Sequence, residues 1–460
     1  MDIDGASSLR SRAQEVVVET PGSQSSLHRA NLERVVRAVR LAGSLTQAEI
    51  ARATGLSAAT VSNIVRELKD GGTVEVTPTS AGGRRARSVS LSGDAGIVIG
   101  VDFGHTHLRV AVGNLAHQVL AEESEPLDVD ASAAQGFDRA EELVNRLIAA
   151  TGVDRGKIAG VGLGVPGPID VESGTLGSTA ILPGWTGARP AEELRGRLGV
   201  PVHVDNDANL GALGELVWGS GKGVRDLAYI KVASGVGAGL VIDGKIYRGP
   251  GGTAGEIGHI TLDESGPVCR CGNRGCLETF AAARYVLPLL QSSHGSDLTM
   301  EGVVRLARDG DPGCRRVVAD VGRHVGSGVA NLCNLLNPSR VVLGGDLAEA
   351  GELVLGPIRE SVGRYAIPSA ARQLSVLPGA LGGPRGGARG ARPGSRRDGR
   401  FDAFGRECHW RVPDGHTCLH LENGWHRCQP VKDLLLDVAR AAELTSSHLG
   451  RNDAASSGRL

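Results

Sequence analysis

The chain has 460 residues, of which 41% are apolar and 22% charged, with a formal net charge of −1. That mixture fits a soluble globular protein of about three domains. It excludes nucleic-acid binding driven by global charge, so any such surface has to be local. The opening MDIDGASSLRSRAQ is acidic, then polar, with no apolar stretch. No secretory signal and no membrane partner are therefore expected, and the cytoplasm is the expected compartment.

Residues 1–25 are polar and are expected to be disordered. From Leu27 the apolar positions Leu32, Val35, Val36 and Val39 predict an amphipathic helix ending near Gly43. Thr46 and Glu49 have capping-box spacing for a short helix, Thr54 and Gly55 make a tight turn, and Ser57 caps a third helix running to about Asp70. This is helix-turn-helix spacing. On the third helix Val61, Val65 and Leu68 share one face, which leaves Ala59, Ser62, Asn63 and Arg66 as candidate DNA contacts. Two β-prone segments, 73–77 and 88–91, flank the tip GGRRAR, whose Arg84, Arg85 and Arg87 can reach phosphates or a minor groove. A basic run alone reads as a solvated charge cluster. Helix, turn, capped helix and basic tip in this order predict a winged helix-turn-helix over residues 26–93, with operator DNA as its partner.

A second unit begins near Asp94. The apolar run 97–101 leads through Asp102, Phe103, Gly104, His105 and Thr106 to a second β-like stretch at 108–112, which by itself reads as a plain hairpin. A helix is predicted over 134–150 and a glycine-spaced strand over 158–165. A strand at 202–204 then delivers Asp205, Asn206 and Asp207 to another helix that contains Glu215. There Asp207 has an ordinary reading as a helix N-terminal carboxylate that satisfies backbone donors. From Leu227 the order is strand, glycine loop SGVGAG at 234–239, strand, a weak signal because glycine-rich hairpins are abundant. Helical patterns follow at 278–291, 300–308 and 312–336, and then NPSRVVLGGDL at 337–347.

Between these lies GEIGHITLDESGPVCRCGNRGCLE, residues 255–278. His259, Cys269, Cys271 and Cys276 offer one imidazole and three thiolates, a complete tetrahedral set of the kind Zn2+ prefers. Ordinary buried thiols are the alternative, but three of the eight cysteines fall within eight positions beside turn-forming Gly272 and Gly275. With four protein ligands no position is left for a reacting water, so the zinc is expected to be structural. The flanking Glu256 and Glu278 are the candidate substrate contacts.

The GEIGH segment joined to CxCGxxGCxE resembles the signature of the ROK family of bacterial sugar kinases and sugar-responsive repressors, and the likeness runs from about Leu27 to Gly383. It implies an α/β fold, the two-lobed actin-like ATPase domain over 94–383, with lobes about 94–205 and 206–383. The winged helix-turn-helix in front matches the family's regulator branch. In that family the histidine and cysteines bind zinc, while the two glutamates and the second nitrogen of the histidine face the sugar. These roles transfer to Glu256, His259 and Glu278. The resemblance also makes Asp207 the kinase general base and Asn206 the residue that orients the sugar. It makes Asp102, Gly104 and Thr106 part of a DxGGT phosphate loop, Ser234, Gly235 and Gly237 part of a second one, and Gly344 and Gly345 part of an adenosine-side loop. His105 departs from the pattern at the second glycine, where its imidazole is expected to obstruct both the turn and the phosphate approach.

The function implied is a sugar-responsive DNA-binding regulator, a repressor of carbohydrate-metabolism genes. Its expected state is a homodimer or a dimer of dimers, with a sugar or sugar phosphate as effector. The alternative is an ATP- and Mg2+-dependent sugar kinase, glucokinase-like, acting on a hexose or an N-acetylated hexosamine. The winged unit and His105 favour the regulator; Asp207 keeps the kinase in view. After Gly383 the sequence PRGGARGARPGSRRDGR has no hydrophobic period, and the remainder concentrates Cys, His and Trp. Residues 384–460 read either as a second metal module or as the product of a shifted reading frame. They are expected to be a disordered tail, with a helix only over 431–444, in place of the family's closing helix.

Overall fold

The computed structural model describes residues 24–81, 84–176 and 181–381. The expected tail, with its helix at 431–444, and the N-terminal segment up to residue 23 lie outside the described residues. Two compact units part between Ala95 and Gly96.

The first unit runs α1 (Gln24–Ala42), β1 (Ser44–Thr46), α2 (Gln47–Thr54), α3 (Ala58–Asp70), β2 (Val74–Ala81) and β3 (Arg84–Leu91). Its helix starts are set by side chains. Thr46 accepts from the Glu49 N–H, and the Glu49 carboxylate accepts from the Thr46 N–H at 2.8 Å, so two backbone donors without helical partners are satisfied reciprocally. Ser57 accepts from the Thr60 N–H at 3.1 Å and opens α3. Gly55 ends α2 at φ 71°, a left-handed conformation that a Cβ would penalise. Val35, Val39, Ile50, Val61, Ile64 and Val65 are buried, as are Val74 and Val89 of the sheet. Strand order is β1-β3-β2, all antiparallel. β1 went unpredicted because three residues carry no readable alternation. The β2–β3 pairing runs out to Ala81 opposite Arg84, beyond the segments the apolar pattern marks, because the outer pairs are polar.

The second unit opens with β4 (Ile97–Phe103), β5 (His107–Asn114), β6 (Val119–Pro126), α4 (Ala133–Thr151), β7 (Ile158–Val165), α5 (Pro190–Leu198) and β8 (Val202–Asn206). Their sheet has the order β6-β5-β4-β7-β8, antiparallel through β4 and parallel from β4 onward. α6 (Asp207–Val217) leads into β9 (Leu227–Val232), β10 (Val236–Ile242) and β11 (Lys245–Tyr247). Helices α7 (Leu277–Ala281), α8 (Ala283–Val286), α9 (Pro288–His294), α10 (Met300–Asp309) and α11 (Pro312–Leu336) follow. β12 (Arg340–Gly344), α12 (Glu352–Tyr365), α13 (Pro368–Gln373) and β13 (Ser375–Pro378) are the last described elements of the lobe. The second sheet has the order β11-β10-β9-β12-β13, with the same switch from antiparallel to parallel. Numbered within each lobe, both sheets read third-second-first-fourth-fifth, a duplication that defines the two-lobed actin-like ATPase architecture.

The first lobe is centred on Phe103, Phe137 and Trp185, with Trp185 5.0 Å from each phenyl centroid and its indole N–H donating to the Val129 carbonyl at 2.7 Å. The second lobe packs α11 and α12 against β9 and β12. α6 leaves the last strand of the first sheet but lies on the second sheet, where a Cβ at Gly239 would stand 2.2 Å from the Ala208 carbonyl oxygen. Only glycine permits that approach. The start of α6, and Asp207 with it, is thereby fixed at the junction of the lobes.

Candidate functional site

The ends of the two hairpins, the start of α6 and the loop before α7 enclose one cleft. Asn206, Asp207, Glu256, His259 and Glu278 line it, and so do Asp102, Gly104, Ser234, Gly235, Gly237 and Gly345 from the loops that resemble nucleotide loops. Thr106 and Gly344 do not. The Thr106 carbonyl accepts from the Leu127 N–H at 3.1 Å, and at Gly344 the Tyr229 hydroxyl lies 2.0 Å from where a Cβ would be. At these two positions the backbone closes the loop and the neighbouring side chain packs against it.

Asn206 is the cap of α6: its Oδ1 accepts from the Ala208 N–H at 2.8 Å and from the Asn209 N–H at 3.3 Å. Asp207 is therefore not spent on the helix donors. Its Oδ2 instead accepts from Lys231 Nζ at 2.6 Å. Sequence reasoning missed Lys231, which looks like one polar residue in an apolar strand. Burial alone would lower the pKa of this ammonium, but the charges of Asp207 and Asp102 outweigh burial and raise it. Asp102 is 1% exposed, and among the described residues neither of its carboxylate oxygens has a hydrogen-bond partner. Burial favours its neutral form; nearby His107 and the charges of Lys231 and Arg109 win and hold it below the usual range. The His107 Nε2 to Asp102 Oδ2 distance of 3.6 Å makes that contact electrostatic rather than a hydrogen bond.

His105 does not strain its turn, since the non-glycine residues with positive φ among those described are His117, Asp243 and Asn337. Its Nδ1 lies 2.5 Å from Asp130 Oδ1 and its Nε2 3.4 Å from Arg270 Nη2. The ring that crowds Gly104 belongs to His107, 2.2 Å from the position a Cβ would take. His105 and His107 both line the cleft, and the second of them crowds Gly104.

Beside the cleft, Cys269 Sγ lies 3.6 Å from His259 Nδ1 and Cys271 Sγ lies 3.7 Å from Cys276 Sγ, with all four donor atoms within 4.8 Å of one another. A tetrahedral zinc with ordinary bond lengths has ligand edges of about 3.5–3.8 Å. The residues therefore fit a metal ion. Burial lowers the pKa of His259, which keeps the imidazole in its ligating neutral form, and in the absence of a cation burial pushes the Cys276 thiol up to about 12. With Nδ1 turned to the thiols, Nε2 faces Glu256 Oε2 at 3.8 Å. Glu256 is pushed up to about 7 by burial and by the charges of Asp207 and Glu278. Arg270, inside the cysteine loop, is a second residue that sequence reasoning missed. It donates from Nε to Glu278 Oε1 at 2.9 Å and from Nη1 to the Ile181 carbonyl at 3.3 Å.

On the first unit, Val61, Ile64, Val65 and Leu68 bury one face of α3, while Ala59, Asn63 and Arg66 are exposed and Ser62 is half-buried on the other. Arg84 and Arg85 lie at the outer end of β3, paired through the backbone with Ala81 and Ser80, and Arg87 is exposed. A half-exposed recognition helix followed by a two-stranded wing is the DNA-binding winged-helix arrangement.

A winged helix-turn-helix joined in one chain to a duplicated actin-like domain is the build of a ligand-responsive transcriptional regulator. Residues 98–392 match the ROK family and residues 34–86 match the MarR family. The xylose repressor of Caldicellulosiruptor bescii is 33% identical over 356 residues, 74% of this chain and 89% of the repressor. A ROK family glucokinase from Streptomyces griseus, solved with glucose and AMPPNP, superposes with a TM-score of 0.55 at 31% identity, over 62% of this chain and 95% of that one. A ROK family transcriptional regulator, a homologue of the Escherichia coli MLC protein, superposes with a TM-score of 0.63 at 24% identity, covering 77% of this chain and 92% of that one, and supports the fold. The chain belongs to the ROK family, in the branch that carries a winged helix-turn-helix.

Proposed function

We propose that this protein is a sugar-responsive transcriptional repressor of carbohydrate-metabolism genes, acting on operator DNA as a dimer in the cytoplasm. The observation that carries the reading is the exposed α3 face with the basic β3 end, which a sugar kinase does not need. The relatives that share both units include the xylose repressor. The effector is an unphosphorylated sugar. The cleft lining holds five carboxylate side chains against three from Lys and Arg, so a phosphate would meet net repulsion, whereas hydroxyls suit carboxylate acceptors. The metal in the Cys and His loop is zinc. It orients His259 and supports the loop that presents Glu256 and Glu278.

Duplex DNA selected from a random library on the full chain, followed by a mobility-shift titration with D-xylose, D-glucose, N-acetyl-D-glucosamine and their phosphates, tests this. Release by one of the free sugars is expected. Failure to select any DNA, or release by a sugar phosphate alone, would overturn it. A sugar kinase remains the second reading because Asp207 stands in the cleft, as the family's catalytic base would.

A further inference from the structure

The duplicated sheets place Asp102 and Lys231 at matching positions. Asp102 is the next-to-last residue of β4, one pair back from the closing pair Phe103 and Leu108; Lys231 is the next-to-last residue of β9, one pair back from Val232 and Val236. An acid on one lobe thus answers a base on the other, and both face the cleft. Lys231 Nζ is 2.6 Å from Asp207 Oδ2, and its ammonium also feels the charges of Asp102 and Asp346, which line the same space. A divalent ion carrying nucleotide phosphates is held by carboxylate oxygens at about 2.0–2.1 Å for magnesium, with waters and phosphates completing the shell. Here one of the carboxylates that could supply those oxygens, Asp207, already accepts from an ammonium.

We propose that Lys231 is a built-in cation occupying the part of the cleft that a metal-bound nucleotide would need, so that the protein binds its sugar with neither divalent metal nor ATP. The ammonium pairs with Asp207 at 2.6 Å and its charge acts on Asp102, while Asp207 remains in place as a hydrogen-bond acceptor for sugar hydroxyls. Arg270 does not duplicate this role, because its guanidinium is engaged by Glu278 at 2.9 Å. The inference rests on the reading of the cleft as a sugar site, and its test separates the two.

Full-length wild type, Lys231→Ser and Lys231→Arg are titrated with Mn2+ by electron paramagnetic resonance, and with D-xylose and D-glucose by calorimetry. Zinc content and thermal unfolding serve as controls for folding. Wild type and Lys231→Arg are expected to show no Mn2+ site beyond the zinc loop. Lys231→Ser should bind Mn2+ at least about tenfold more tightly, and Asp102→Asn added to it should remove that gain. If Lys231→Ser does not fold, the wild type still decides, because its sugar affinity should not change when saturating Mg2+ and AMPPNP are added. The proposal is overturned if Lys231→Ser gains no Mn2+ binding. It is equally overturned if wild type binds the Mg2+ nucleotide and the serine variant loses it, which would make the lysine a phosphate ligand. A Mn2+ gain without sugar binding in any variant would support the lysine assignment and sink the sugar-site reading.

Discussion

Arg270 and Glu278 form an ion pair inside the protein: the guanidinium Nε donates to the carboxylate at 2.9 Å, and the two side chains are 12% and 3% exposed. The same guanidinium reaches the Ile181 carbonyl and the His105 ring, so one side chain ties the cysteine loop of the second lobe to the first lobe. Removing only one member of such a pair leaves a buried charge unbalanced, at a cost of about 3–5 kcal/mol. Arg270→Ala should therefore lower the urea midpoint of the ROK unit sharply. Adding Glu278→Gln should recover much of that stability, since the uncompensated charge is then gone. A double variant no more stable than the single one would contradict the pairing.

Metal analysis of the wild type should give one zinc per chain. Cys271→Ser should lose the zinc, and with it the sugar response, because a freed loop no longer holds Glu256 and Glu278 in place. Wild-type protein with no zinc, or a serine variant that still responds to sugar, would refute this.

DNA affinity should be salt-sensitive and local to the first unit. Replacing Arg84, Arg85 and Arg87 by Ala should weaken binding to all sequences and reduce the salt slope by about 1 for each phosphate that is no longer neutralised. Asn63→Ala should instead cost about 1–3 kcal/mol on the preferred site and relax the preference at one base pair. Footprinting and shift assays at several salt concentrations distinguish the two patterns. Operator binding retained after deletion of residues 1–93 would refute the location.

Phosphoryl transfer depends on positioning the nucleotide phosphates as much as on the base. With His107 against Gly104 and Lys231 on Asp207, a coupled ATP-consumption assay across hexoses and N-acetylated hexosamines should show no turnover. Turnover of about 1 per second or more, abolished by Asp207→Asn, would promote the kinase reading.

Features that depend on residues a few positions apart were legible in the sequence. The Thr46 and Glu49 box, the Ser57 cap, the apolar face of α3 and the Cys and His loop all formed as their spacing implied, because local hydrogen bonding and side-chain direction decide them. The resemblance to known motifs carried the two-lobed fold and brought Asp207, Glu256, His259 and Glu278 to one cleft. What the chemistry of that cleft becomes was decided by tertiary structure alone. Lys231 meets Asp207 from 24 residues away and Arg270 meets His105 from 165 residues away. A short alternation between His105 and His107 determines which ring covers Gly104 and which one turns to Asp130. No pattern along the chain reports these pairings, because charge proximity and loss of solvent exist only once the two sheets have closed around the same space.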